Sequence, residues 1–151
     1  RLQRDHALRN AHMRHGEIIK SEGRKAELAL SYSEKVLDHF EHPRNVGDLA
    51  DPDAVVSIEH PVCGDIMKLA VKVNDGRISQ VRYRTRGCVA SIAAGSCLTE
   101  MIQGKSLEEA AALTREQLAE ALGGLTNASM HASHLAIDVV QQVLTKLKGS
   151  T

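Results

Sequence analysis

The sequence predicts an α+β domain in which a small three-stranded antiparallel sheet packs against a layer of helices. Three observations point there. The segment Ile66–Val73 alternates apolar and polar residues, and Asn74-Asp75-Gly76 then gives a strong hairpin signal before a second strand-like run. After residue 88 the apolar spacing switches to the helical period and holds almost to the end of the chain. One short helical segment precedes the strands, so the order is helix, three strands, then helices, the order of a two-layer α+β sandwich.

Taken in order, residues 1–30 are rich in Arg, Lys, His and Glu, with apolar residues scattered among them. They are expected to form a charged extension, helical or partly disordered, apart from a domain spanning residues 31–149. Ser33 can cap a short helix running to about His42, with Val36, Leu37 and Phe40 at helical spacing. Pro43 and Gly47 break it, and the acidic loop Asp51–Asp53 leads into a strand over Ala54–His60. In the next strand Met67, Leu69, Val71 and Val73 share a face. A three-residue loop Asn74-Asp75-Gly76 would pair Val73 with Arg77, Leu69 with Val81 and Met67 with Tyr83. The return strand covers Arg77–Thr85.

Helices follow. Val89–Gln103 is rich in small residues and stops at Gly104. Ser106-Leu107-Glu108-Glu109 and Thr114-Arg115-Glu116-Gln117 both have the capping-box pattern, and Gly123-Gly124 closes the second of these helices. The last helix spans about Ala128–Lys148, with Ala132, Leu135, Val139, Val143 and Leu147 as its inward stripe.

Composition narrows the function. The chain has 151 residues, enough for one domain, with 42% hydrophobic residues and 19 basic against 19 acidic side chains. Balanced charge, two Tyr, one Phe and no Trp argue against nucleic acid as a partner. No segment approaches the roughly 20 apolar residues of a membrane span, and the N-terminus lacks a secretory apolar region. Three cysteines are too few and too odd in number for a disulfide framework, so reduced thiols in the cytoplasm are expected.

The chemistry gathers around the hairpin. Cys63 lies just before the outgoing strand and Cys88 just after the returning one. Counting outward from the turn sets Cys63 opposite Gly87, so both thiols reach the same end of the sheet. Cross-strand neighbours there lie roughly 5 Å apart at Cβ, close enough to share a metal. Gly64 and Gly87 allow tight turns and close approach of a bulky ligand. Cys88 precedes a helix, whose dipole favours thiolate. Asp65 reads either as a ligand or proton acceptor or as a solvated turn acid. Cys97 is nine residues into the same helix, roughly 13 Å from Cys88 at 1.5 Å per residue, and belongs to the core. His131 and His134 stand three apart in the last helix with Asp138 four further on, along one face; ligation and a surface role are both open for them. His39 and His42 are expected at the surface. No Ser stands in a nucleophile-elbow pattern.

Three motifs in order carry a resemblance. YSEKVLDHFEHPRNVG (Tyr32–Gly47), CGDIMKL (Cys63–Leu69) and GCVASIAAGSCLTEMIQGKS (Gly87–Ser106) resemble the signatures of the IscU/NifU scaffold family, and the match extends over about Tyr32–Lys148. The resemblance implies a non-enzymatic scaffold that receives sulfur from a cysteine desulfurase, binds iron, builds a [2Fe–2S] cluster and passes it to acceptor apo-proteins. It implies Cys63, Asp65, Cys88 and His131 as metal ligands, Asp65 keeping the cluster labile, with Lys68 a nearby basic residue; Gly64, Gly87 and His134 are read from their own positions as supporting residues.

The chain departs from the family pattern at one ligand. Where the family carries His-Cys-Ser, this sequence reads His131-Ala132-Ser133, so the third thiolate is missing. The segment by which some members engage an Hsp70-type chaperone is not matched by Leu125-Thr126-Asn127-Ala128-Ser129, and chaperone delivery is not implied. Two other readings compete with the scaffold: a Zn²⁺-bound sulfur acceptor of the SufU type, and a degenerate member that binds the desulfurase as a regulator.

Overall fold

The computed structural model describes residues 32–149; the expected extension over residues 1–30 lies outside the described residues. Helix α1, Glu34–Glu41, is capped by the Ser33 hydroxyl, which accepts the Val36 N–H at 3.0 Å. Strands β1 (Ala54–Glu59), β2 (Ile66–Asn74) and β3 (Arg77–Arg86) form an antiparallel sheet in the order β1-β2-β3. Helices α2 (Val89–Ile102), α3 (Leu107–Ala111) and α4 (Arg115–Ala121) follow. A 3₁₀ turn, Asn127–Ser129, leads into α5, Met130–Gly149. Both expected capping boxes form, with reciprocal bonds between Ser106 and Glu109 and between Thr114 and Gln117.

The alternation in β2 decides how the layers stack. Met67, Leu69 and Val71 are fully buried on one face, together with Val81 and Tyr83 of β3. Helix α2 lies over β3, α5 lies across β1 and β2, and the two helices pack against each other. The small residues of α2 let it approach the sheet closely. A Cβ on Gly95 would stand 2.4 Å from the Tyr83 ring, so only hydrogen fits there. Tyr83 cannot retreat, being 2% exposed with its hydroxyl donating to the Ile92 carbonyl at 2.8 Å. The free edge of β3 is covered by Asn45–Gly47, through Tyr83 N–H to Asn45 C=O and Gly47 N–H to Tyr83 C=O.

The hairpin register differs from the sequence expectation. The turn has two residues, Asp75 and Gly76, at φ +54° and +74°, and it pairs Asn74 with Arg77. Such a turn alone would put Val81 and Tyr83 on the solvent face. A bulge corrects this: Val73 pairs with Ile78 and Lys72 with Gln80, leaving Ser79 as the extra residue. Val71 then faces Val81, Leu69 faces Tyr83 and Met67 faces Thr85. The apolar faces are as expected, but the β3 partner is displaced by one residue at Val73 and by two beyond the bulge.

His39 is also corrected. It is buried, with Nδ1 2.7 Å from the Ser96 hydroxyl, and burial together with nearby Arg44 holds its imidazole below the ordinary histidine range. It keys α1 onto α2.

Gly95→Ala is expected to lower stability by about 1–3 kcal/mol through overpacking against Tyr83, measured by denaturant unfolding. A variant as stable as the native protein would show that the helix and sheet can separate freely.

Candidate metal centre

Three elements end at one rim of the sheet, and each brings one part of the site. Asp65 directly precedes β2, in the alternation that buries Met67 and Leu69, and is itself 9% exposed. Its Oδ2 accepts the Ser91 hydroxyl at 2.6 Å and the Cys88 backbone N–H at 3.4 Å. Cys88 is the N-cap of α2 and Ser91 lies in its first turn, so the carboxylate sits where unpaired N–H groups and the positive end of the helix dipole favour an anion. Burial alone would raise the Asp65 pKa. The hydrogen bonds from Ser91 and Cys88 and the nearby His131 outweigh it and hold the carboxyl below the usual carboxylate range. The β2–β3 register ends at Ile66 and Arg86, so the next pair outward is Asp65 and Gly87. A Cβ on Gly87 would lie 2.5 Å from Asp65 Cγ, and glycine is required there to admit the carboxylate.

His131 comes from the first turn of α5. Its Nδ1 lies 3.0 Å from the Ala128 carbonyl, which can only accept, so Nδ1 carries hydrogen and Nε2 is the nitrogen turned toward the site. That Nε2 lies 3.4 Å from Asp65 Oδ2 and 3.5 Å from Cys88 Sγ. Cys63 stands in an exposed loop closed by His60 N–H to Asp65 C=O at 2.7 Å and Gly64 N–H to His60 C=O at 2.9 Å. Gly64 takes φ +79° there, a conformation that other residues rarely adopt. Ligand atoms of Cys63, Asp65 and His131 lie within 4.8 Å of one another.

Cys63, Asp65 and His131 therefore converge, while Cys88 touches His131 but is not one of the three mutually close ligand groups. A thiol, an imidazole nitrogen and an ionised carboxylate, with a second thiol beside the imidazole, could hold a borderline cation such as Zn²⁺ or an iron–sulfur group. The exposed Cys63 side leaves an open approach.

Other expectations change. Cys88 is half-buried, and desolvation pushes its thiol up rather than toward thiolate; Ser91 opposes this, while the Asp65 carboxylate reinforces it. Lys68 pairs with Asp48 at 3.3 Å, on the sheet face opposite Met67. His134 is half-buried and is not among the converging ligand atoms. Asp138 pairs with Arg115 at 3.7 Å. Cys97 is 4% exposed in the core, where burial pushes its thiol up to about 11. Ala132, at the position of the family's third cysteine, is fully buried in that core. Sequence reading missed Ser91, although its spacing of three from Cys88 in one helical turn was a usable signal. It also missed His60, although that residue stands only three positions before Cys63.

Fold and side chains together describe a small α+β domain with a cysteine, a carboxylate and a histidine gathered at one sheet rim, where they could hold a metal ion. Residues 31–151 match the family model described as NifU-like N terminal domain, and the chain belongs to that family. It is 50% identical over 113 residues to "Iron-sulfur cluster assembly scaffold protein IscU 1" of Archaeoglobus fulgidus, covering 75% of this chain and 74% of that protein. It is 44% identical over 124 residues to "Iron-sulfur cluster assembly scaffold protein IscU" of Escherichia coli (strain K12), covering 80% of this chain and 96% of that protein. Its fold resembles the crystal structure of a NifU-like N-terminal protein from Brucella abortus, with TM-score 0.68 at 16% identity over 79% of this chain and 95% of that one.

Replacing Asp65 by Asn removes the negative charge that raises the Cys88 thiol. The thiolate fraction should rise, and Cys88 in metal-free protein should alkylate faster at neutral pH, read residue by residue by mass spectrometry. An unchanged or slower rate would contradict the assigned electrostatics.

Proposed function

We propose that this protein is an iron–sulfur cluster assembly scaffold: it binds iron and a transient [2Fe–2S] cluster and passes the cluster on. The carrying observation is the approach of the ionised Asp65, His131 Nε2 and the Cys63 thiol at one rim, with the Cys88 thiol beside His131. Membership of the NifU-like N-terminal family and the names of relatives at 44–50% identity support the same reading.

In this reading Cys63, Asp65, Cys88 and His131 hold the cargo. A shell with two thiolates, one carboxylate and one imidazole binds a cluster more weakly than a richer thiolate set, which suits a protein that must release it. Gly87 keeps room for Asp65, and Gly64 shapes the Cys63 loop. A cysteine desulfurase would supply sulfur at the open side, where Val62 is 87% exposed beside Cys63, and acceptor apo-proteins would take the cluster there. The cytoplasm, with its reduced thiols, is the proposed setting. Residues 31–149 form the scaffold domain in this view, and residues 1–30 an extension to it.

A second reading has one observation in its favour. The ligand atoms of Cys63, Asp65 and His131 are close enough for a single Zn²⁺, which would make the protein a zinc-held sulfur acceptor. An acceptor needs a free thiol while others remain bound, and only Cys63 and Cys88 are at hand.

Anaerobic reconstitution with iron, sulfide and desulfurase separates these readings. A charge-transfer spectrum in the visible range is expected for the scaffold; one tight zinc and no such spectrum would favour the second. Cys63→Ser and Cys88→Ser should abolish retention of the cluster, whereas Cys97→Ser should leave it nearly intact. Equal loss from all three would sink the ligand assignment. Asp65→Ala should slow transfer to an acceptor apo-protein, and an unchanged transfer rate would argue against a labilising carboxylate.

A further inference from the structure

His60 lies just beyond β1 and was not among the residues singled out in the sequence. Its Nδ1 is 3.2 Å from the Val62 backbone nitrogen and 3.4 Å from that of Cys63. Both partners are N–H donors, so Nδ1 is the acceptor and the neutral ring carries its hydrogen on Nε2. A side-chain acceptor that gathers the N–H groups two and three residues ahead is the device by which Asn and Asp shape turns, and here an imidazole performs it. The His60 backbone closes the same loop through its bonds to Asp65 and Gly64. Its ring also stands edge-on to the His131 ring, with centroids 5.6 Å apart and planes at 64°.

We propose that His60 is the positioning residue of the centre: its Nδ1 fixes the Cys63 loop, and its ring buttresses the His131 imidazole. It thereby couples a donor from an exposed loop to a donor from α5, two parts with no covalent neighbourhood. Cys63 needs such help because it is exposed and lies between strands, outside the sheet ladder. With Nδ1 occupied by backbone donors, His60 acts on the cargo through Cys63 and His131. This role in metal retention rests on the reading of those two residues as ligands.

Three substitutions separate the two contacts. His60→Asn keeps an acceptor at the position of Nδ1 without the ring, His60→Phe keeps a ring without the acceptor, and His60→Ala keeps neither. In metal-free protein, Cys63 alkylation followed by mass spectrometry should accelerate severalfold in His60→Ala and His60→Phe, and return toward the native rate in His60→Asn. Titration with Co²⁺ alone, read from its thiolate charge-transfer band, should show His60→Ala weakened by about tenfold, the lower end of the range seen when a ligand's supporting partner is lost. His60→Asn and His60→Phe should each recover part of that affinity. The same Cys63 rate in His60→Ala and native protein, or a His60→Asn rate no nearer the native one than His60→Ala, overturns the proposal. Failure of the ligand reading shows separately, as an unchanged cobalt band in Cys63→Ser.

Discussion

The site depends on one carboxylate. Asp65 is held at the mouth of β2, almost buried, by the Ser91 hydroxyl and the Cys88 backbone N–H at the start of α2, and it faces His131 from α5. A carboxylate at that depth is costly unless it receives hydrogen bonds and positive potential, and the helix N-terminus supplies both. One side chain therefore fixes the distance between the sheet and two helices at the rim where the sulfurs lie. Gly87 is a direct consequence, since any side chain there would occupy the space of the carboxylate.

That arrangement fits a group held for a limited time. The carboxylate and imidazole are preorganised, His131 by its bond to Ala128, whereas Cys63 stands in an exposed loop. Asp65 and His131 are thus fixed, Cys88 is half-buried at the start of α2, and Cys63 is open to solvent and partners. Cys88 must lose a proton that burial and Asp65 both tend to retain, so binding a cation at this thiol displaces the proton. The position where the family carries a third cysteine is closed by the Ala132 methyl, and Cys97 is committed to the core, so two sulfurs are what this chain offers at the rim.

Much of this was legible in the sequence because the governing signals are local. Alternation in β2, the Ser33 cap, both capping boxes and the glycine stops each specify their element within a few residues. Counting also brought Cys63 and Cys88 to the rim at one end of the hairpin, but it set Cys63 opposite Gly87, whereas the register there sets Asp65 opposite Gly87. The register itself did not follow, because the Asp75-Gly76 turn and the Ser79 bulge compensate each other, and only the need to bury Val81 and Tyr83 hints at either. His39 misled because its charge pattern is that of a surface helix, while its partner, Ser96, lies 57 residues away. The Cys88 environment misled because the helix dipole is readable from sequence and burial is not. His60 was passed over although it stands three residues before Cys63; only its ring contact with His131 is long-range.

The most direct test of the centre is X-ray absorption on protein loaded with one Zn²⁺ per chain. Two sulfurs at about 2.3 Å and two nitrogen or oxygen donors at about 2.0–2.2 Å are expected for Cys63, Cys88, Asp65 and His131 acting together. A shell of nitrogen and oxygen alone, or one with a single sulfur, would contradict a centre in which the Asp65 carboxylate brings both thiols and the imidazole onto a common metal.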